Sequence, residues 1–417
     1  MLKNYLKITW KVLMRNKLFT FISLFGISLT LTILIIGVSF FDFFTKSNYP
    51  ILKQDRILYL SNLHSWDEKT GEKSYNNYSS GYPSYYLLNK CAQPLKKPAG
   101  ISIYSSNLRS INTFINSRKA KLVIRYTDDE YWSILDFRFL TGRPFNKKEV
   151  KDAQRIAVIA ESIANDYYGG TKSAIGKTIE ADKVNYIIIG VVKNAPITSL
   201  NIYGNIWVPI TTSKENLSAR KLHSGFTAML LAKNRSDFAA IESEFQGLLQ
   251  KIELPIDNYN FIDIHTASAL ESFIQSIPII NNTTTFYILL FVIILIIMLI
   301  PSLNLVNLNV NRINERLSEI GVRKSFGANK MSLAGQFLTE NIVLTLMGGL
   351  LAFILSFIIL KAIQSTGIIP AEGLLLNYRI LFIGLIFCFC FGFISGFLPA
   401  YRMSRLQIVE SLNKGES

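Results

Sequence analysis

Four stretches of the chain leave its mixed texture for unbroken apolar sequence: 18–41, 286–310, 341–360 and 380–401 hold no charged residue. A helix needs roughly 20 apolar residues to cross the hydrocarbon core of a bilayer, and each stretch has that length. The pattern predicts an α+β membrane protein. Four transmembrane helices are expected, over 18–41, 286–310, 337–363 and 379–401, with a large mixed α/β extracytoplasmic domain between the first and second. The first span is too long for the core of a cleaved signal, and Phe40, Phe41, Phe43 and Phe44 stand where small residues would mark a cleavage site. It is expected to stay as an anchor.

Charge gives the orientation, because cytoplasmic loops collect Lys and Arg. Segment 1–17 carries Lys3, Lys7, Lys11, Arg15 and Lys17 with no acidic residue. Segment 311–336 sets Arg312, Arg316, Arg323, Lys324 and Lys330 against Glu315 and Glu319, and the tail 402–417 sets Arg402, Arg405 and Lys414 against Glu410 and Glu416. The link 364–378, flanked by Lys361 and Arg379 and holding Glu372, is nearly balanced. Both termini and 311–336 are therefore expected in the cytoplasm, and 42–285 and 364–378 outside it.

Within 42–285, hydrophobic patterning alternates between two periods. Residues 121–125, 156–159 and 186–192 are short β-branched runs suited to buried strands. Residues 162–168 and 238–250 look helical, the latter with Phe238, Ile241, Phe245 and Leu248 at three- and four-residue spacing. Tyrosines crowd between Tyr75 and Tyr86, as a surface for an apolar or peptide ligand or as ordinary loop packing.

On the cytoplasmic side, Leu2, Leu6, Trp10 and Leu13 form one stripe and Lys3, Lys7 and Lys11 another, the pattern of a helix lying along an anionic membrane surface. Residues 314–330 read as a helix, with Glu319 and Arg323 placed as an i,i+4 pair, then a break at Gly327, where a left-handed terminus favours glycine. Asn329 or Ser332 caps a second helix continuous with the third span. A compact ordered break suits a docking surface for a cytoplasmic protein better than a solvated loop.

Composition changes this picture little. The net charge of +15 would suit phosphate binding, but its cations border the apolar spans, so nucleic acid is not expected as a partner. Cys91, Cys388 and Cys390 make no disulfide framework, and His64, His223 and His265 have no metal-ligand spacing. Residues 170–178, GTKSAIGKT, imitate a phosphate-binding loop, yet one residue too many separates Gly170 from Gly176 and a turn and strand follow instead of a helix. No paired Ser/His/Asp context, His-Glu-x-x-His or Cys cluster suggests catalysis. The chain is expected to be non-catalytic, with no cofactor and no metal.

The run Glu319-Ile320-Gly321-Val322-Arg323-Lys324-Ser325-Phe326-Gly327-Ala328 resembles the Glu-Ile-Gly-(Ile/Val)-Arg-Lys-Ala-(Leu/Phe)-Gly-Ala signature of the MacB/FtsX-like permeases, the type VII ABC transporter fold. Ser325 in place of alanine is its one departure. Gln336-Phe337-Leu338-Thr339-Glu340, Gly348-Gly349, Pro399-Ala400-Tyr401-Arg402-Met403-Ser404-Arg405-Leu406 and Val409-Glu410-Ser411-Leu412 are similar to the family's continuation. So, outside the membrane, are Asp136-Phe137, Gly142-Arg143-Pro144-Phe145, Ile156-Ala157-Val158-Ile159, Gly176-Lys177-Thr178-Ile179 and Ile189-Gly190-Val191-Val192.

The resemblance implies a permease subunit in a bacterial inner membrane, working as a homo- or heterodimer with two copies of a cytosolic ABC ATPase. ATP-driven closure would be carried through the spans to the periplasmic domains (mechanotransmission), to extrude a drug, peptide or lipoprotein, with a periplasmic membrane-fusion protein as a further partner. Some members carry the ATPase fused at the N-terminus. Only the segment up to Lys17 precedes the first span, so a separate ATPase is expected. It would dock on Glu315, Glu319, Gly321, Arg323, Lys324 and Gly327, with Arg402 and Arg405 in the cytoplasmic tail. Two rivals are a membrane sensor with an outer ligand-binding domain and an FtsX-like activator of cell-wall enzymes. The cytoplasmic parts are small for the sensor's effector module, and 42–285 is large for the activator's outer domain.

Overall fold

The computed structural model describes residues 17–45, 47–67, 78–106, 109–115, 118–196, 202–275, 282–297 and 330–365, with isolated positions elsewhere. The chain divides into two compact units, parted at Asp42/Phe43 and at Thr283/Thr284. Most of the expected surface helix 2–17, the later part of the second span, the coupling segment 311–329, the fourth span and the tail lie outside the described residues.

The unit from Phe43 to Thr283 is a mixed α/β domain. Its strands are β1 (Ile57–Leu60), β2 (Leu63–Trp66), β3 (Tyr78–Gly81), β4 (Gly100–Ser105), β5 (Arg109–Ile115), β6 (Arg118–Thr127), β7 (Phe139–Gly142), β8 (Ile156–Ala160), β9 (Thr178–Ala181), β10 (Val184–Val192), β11 (Ile206–Pro209), β12 (Phe226–Leu231) and β13 (Phe261–Ile264). The large sheet runs β1-β12-β4-β6-β11-β8-β10-β7, with β5 added on β6 and β9 on β10; a small sheet runs β13-β2-β3. Pairing is antiparallel except β6 with β11 and β8 with β10.

The β8–β10 pair shows how sequence makes this architecture. Ile-Ala-Val-Ile-Ala in β8 is buried at every position, as a parallel strand covered on both faces must be. Parallel partners need a crossover, and the helix Glu161–Tyr168 supplies it, ending where Gly169 turns left-handed at φ 74°. The hairpin from β9 into β10 turns on Asp182 and Lys183, both at positive φ, the sense that matches strand twist. Where β7 meets β10, Gly142 and Gly190 face each other; a Cβ on Gly142 would lie 2.1 Å from the Ile189 carbonyl oxygen, so no side chain fits.

The strands expected at 121–125, 156–159 and 186–192 fall inside β6, β8 and β10, and the helices expected at 162–168 and 238–250 coincide with Glu161–Tyr168 and Phe238–Leu249. The helix Phe238–Leu249 buries Ile241, Phe245 and Leu249, one stripe.

The other unit contains the helix α1 (Lys17–Thr45) for most of its length, an apolar helix Thr283–Ile297 for most of its length, and the helix α2 (Lys330–Ser365). The windows Thr20–Phe43 and Thr339–Ser365 are long and apolar enough to cross a membrane. Leu18, Phe21, Phe25, Leu29 and Ile33 are exposed along one side of α1, as a helix in lipid presents itself. Its other side buries Ile27, Leu31, Leu34 and Ile35 with Leu344 and Ala352 of α2. The approach is close because Gly348 has no side chain: a Cβ there would stand 2.7 Å from Ile27 Cγ2. Thr32 Oγ1 donates to the Ser28 carbonyl (2.7 Å) and reaches the Ala352 carbonyl at 3.3 Å, so the hydroxyl stays satisfied without water.

Gly348→Ala is expected to lower the melting temperature of the detergent-solubilised protein, by overpacking worth about 1–3 kcal/mol. Ile27→Ala in the same chain should recover part of the loss, a coupling that only contacting residues show. Equal melting of wild type and Gly348→Ala would refute this packing.

Candidate functional site

The predicted docking residues Glu315, Glu319, Gly321, Arg323, Lys324 and Gly327, with Arg402 and Arg405, lie outside the described residues. The best-defined site belongs to the segment that follows α1. The helix ends at Thr45, and its final turn already belongs to the unit from Phe43 to Thr283. Asn48 Nδ2 donates to the Phe43 carbonyl at 2.8 Å, satisfying one of the acceptors a helix leaves open. The amide of Asp136 donates to the Pro50 carbonyl at 2.8 Å. Tyr49 Oη donates to the Lys193 carbonyl at 3.0 Å, and the Lys193 ammonium lies 5.8 Å from the centre of the Tyr49 ring. Lys53 Nζ pairs with Asp136 Oδ1 at 3.1 Å and bonds the Ser133 carbonyl at 3.3 Å.

The Tyr49 ring meets Phe137 edge-on, at 6.2 Å. Phe137 in turn stacks on Tyr131 and packs against Trp132 and Trp207, so the segment rests on an aromatic wall. Buried polar groups hold that wall. Tyr131 Oη donates to the Ile202 carbonyl at 3.1 Å, and its amide donates to Asp128 Oδ1 at 3.0 Å. Asp128 also accepts from Ser102 Oγ (2.6 Å) and the Ile103 amide (2.7 Å), joining β4 to the short helix Glu130–Ile134. Burial pushes its carboxyl up to about 7, further than the three donors pull it down.

Two groupings escaped the sequence. Ser65 Oγ and His223 Nε2 stand 2.7 Å apart, although no paired Ser/His context is visible along the chain. This is not a nucleophilic pair: Ser65 is fully buried, and His223 Nδ1 has no hydrogen-bond partner among the described residues. Asp257, which would have to orient the ring, accepts from the Leu222 amide instead. Burial lowers the His223 pKa. His265, the second grouping, bonds Glu242 Oε1 at 2.7 Å and Asp263 Oδ1 at 3.0 Å on the surface. Among the described residues no cluster of three or more His, Cys, Asp or Glu fits a metal ion. The phosphate-loop imitation is a short helix, Thr171–Ala174, then a turn into β9; the Gly176 amide donates to the Ile188 carbonyl and does not face an open anion cradle.

The chain matches the family described as MacB-like periplasmic core domain over residues 20–248, and FtsX-like permease C-terminal over 291–408. The macrolide export ATP-binding/permease protein MacB of Burkholderia cenocepacia (strain HI2424) is 26% identical over 286 residues, which make up 68% of this chain and 40% of that protein. The chain thus spans well under half the length of that relative. The ABC transporter permease YvrN of Bacillus subtilis (strain 168) is 25% identical over 425 residues, 98% of this chain and 99% of the relative. Among solved structures, the periplasmic region of MacB from Actinobacillus actinomycetemcomitans aligns at 12% identity and a TM-score of 0.35, covering 55% of this chain and 94% of that one. The extracellular domain of YknZ aligns at 13% identity and a TM-score of 0.33, covering 46% and 92%.

The raised pKa of Asp128 has a defined sign. An unfolded aspartate releases its proton near pH 4, while the folded one keeps it up to about 7. The stability this carboxyl adds is therefore complete below about pH 4 and is lost as pH rises through about 7. Asp128→Asn keeps a neutral amide at every pH. Denaturant midpoints for the outer unit, measured in the full chain at pH 5 and pH 8, should fall more in wild type than in the variant. Identical slopes would refute the assignment.

Proposed function

The chain belongs to the MacB/FtsX-like family of ABC transporter permeases, and from that premise we propose that it carries ATP-driven motion from a cytosolic ATPase subunit to its outer domain. One observation carries the reading: the two family matches follow one another along the chain, the periplasmic core domain over 20–248 and the permease region over 291–408. That is the order of a permease whose outer domain is inserted after its first span. The proposed architecture has transmembrane helices at 18–41, 286–310, 337–363 and 379–401 in a bacterial inner membrane, with both termini and 311–336 cytoplasmic.

In this proposal two permeases, identical or different, face each other, and each takes one ATPase. The ATPase docks on Glu315, Glu319, Gly321, Arg323, Lys324 and Gly327, with Arg402 and Arg405 alongside. Arg323 and Lys324 meet acidic positions on its surface. ATP-driven closure shifts the spans, and the segment Phe43–Arg56, fastened through Tyr49, Pro50 and Lys53, carries the shift into the outer domain. The permease itself performs no chemistry. Its cargo is a drug, peptide or lipoprotein leaving on the outer side, where a membrane-fusion protein is a further partner.

The docking assignment is tested by co-expression with the ABC ATPase encoded beside this chain. Wild type should co-purify with it as a complex that hydrolyses ATP. Truncating one side of an interfacial charge pair costs about 2–5 kcal/mol, so Glu319→Ala with Arg323→Ala should lose the bound ATPase or uncouple its hydrolysis from the permease. Full assembly and full coupled activity in the double variant would refute the docking site.

A further inference from the structure

The small sheet β13-β2-β3 has two unlike faces. Its register aligns Phe261, Trp66 and Tyr78 across the three strands, and in the next same-face row Asp263, His64 and Ser80. The intervening positions face the core: Leu63, Ser65 and Ile264 are buried. Side chains alternate along a strand, so the aromatic row and the polar row share the outer face.

The rings of that face lie near-parallel in two pairs, with Trp66 and His64 partly buried and Tyr78 and Phe261 exposed. Trp66 and Phe261 stand 5.8 Å apart at an interplanar angle of 11°, and His64 lies 5.7 Å from Tyr78 at 24°. His64 Nδ1 and Tyr78 Oη are hydrogen-bonded at 2.5 Å, which holds the imidazole against the phenol. Tyr78 is 50% exposed and Phe261 40% exposed. Cross-strand aromatic pairs stabilise a small sheet, but a row serving only that purpose gains by covering itself, and this row leaves its outer members open. Asp263 is fixed beside it by His265 Nε2 at 3.0 Å, and His265 is held in turn by Glu242. At the other end Asn260 Nδ2 donates to Asp67 Oδ1 at 2.5 Å.

Aromatic faces next to pre-oriented planar acceptors and donors complement one ligand chemistry closely. A pyranose ring has an apolar C–H face, which packs on a π face, and a rim of hydroxyls, each both donor and acceptor. With strands about 4.8 Å apart, the row extends about 10 Å, long enough for two linked rings. An aliphatic ligand would match the aromatic row but strip water from the polar row beside it, Asp263, His64 and Ser80, and return no hydrogen bond, which is costly.

We infer that the outer face of this sheet is a saccharide-binding platform: Tyr78, Trp66 and Phe261 take the C–H faces of linked sugar rings, while Asp263, His64 and Ser80 bond their hydroxyls. The site stands on the outer domain's own geometry and does not depend on how the permease is driven.

The experiment uses the full chain in nanodiscs, titrated by calorimetry with soluble oligosaccharides covering neutral, N-acetylated and acidic hexose oligomers, and with the hydrophobic dye anilinonaphthalene sulfonate. At least one oligosaccharide should bind saturably in the micromolar-to-millimolar range. Trp66→Ala and Phe261→Ala should weaken that binding at least tenfold, and Asp263→Asn measurably. Tyr78→Ala, at an edge strand and half exposed, tests the same row should the Trp66 variant fail to fold, as judged by its melting temperature. Trp66→Phe should retain binding while removing the ligand-induced change in tryptophan emission. No saturable binding across the panel, binding unchanged in all the alanine variants, or binding of the dye alone at this face would overturn the platform.

Discussion

A buried guanidinium organises the outer domain. Arg125 is fully buried, and a charge so placed is tolerable only when its donors are met. Its Nε donates to the Tyr203 carbonyl at 2.8 Å, and one terminal nitrogen reaches the carbonyls of Ser105 (2.5 Å) and Ser106 (2.8 Å). Those carbonyls lie where the regular ladder fails. β4 pairs with β6 only at Tyr104 and Thr127, after which β5 takes its place along the same strand. The arginine side chain thus bonds backbone that the sheet itself leaves open. Each such bond to a charged donor is worth about 1.5–3 kcal/mol, more than a neutral one. Gly204 is a condition of the arrangement, since a Cβ there would stand 2.9 Å from Arg125 Cγ. Burial lowers the arginine's pKa, yet a guanidinium starts so high that it keeps its charge.

Legibility in the sequence followed chemistry that side-chain type encodes. β8 and β10 are β-branched runs and announce themselves; β12, Phe-Thr-Ala-Met-Leu-Leu, is equally buried but made of residues that favour helices as readily, so no strand was expected there. β2 and β3, with Ser65, Ser79 and Ser80, carry too little apolar sequence to suggest strands at all. The crowd of tyrosines before Tyr86 was visible as composition. Its meaning was not, because Tyr78 acquires Trp66 and Phe261 as neighbours only through register. Arg125 was unreadable for a different reason: its partners are carbonyls, which every residue has.

In the apolar unit, water is not available to drive association, so shape replaces hydrophobic burial as the selecting term. α1 divides accordingly. Its exposed side carries Phe21, Phe25 and Leu29, while the buried side sets Ser28, Thr32 and Ser39 among Ile27, Leu31, Leu34 and Ile35 and returns their hydroxyls to α1's own carbonyls. The absence of a side chain at Gly348 belongs to the same logic, admitting Ile27 where any Cβ would collide.

These constraints meet in the few residues after α1. The helix stops at Thr45, Asn48 caps Phe43, and the chain is held again at Pro50 by the Asp136 amide. Only four residues separate Thr45 from Pro50, so the chain is fastened again soon after the helix ends. Within that stretch Tyr49 is held by hydrogen bond and ring packing together, and past it Lys53 by an ion pair with the residue whose amide grips Pro50. A partly exposed ion pair contributes little by itself. The geometry gains its definition from convergence: Asp136 contributes both its amide and its carboxylate, and Phe137 beside it sits on Tyr131, which Asp128 anchors. The residues after α1 are therefore fastened to the aromatic wall and the buried polar groups behind it, not to a flexible loop.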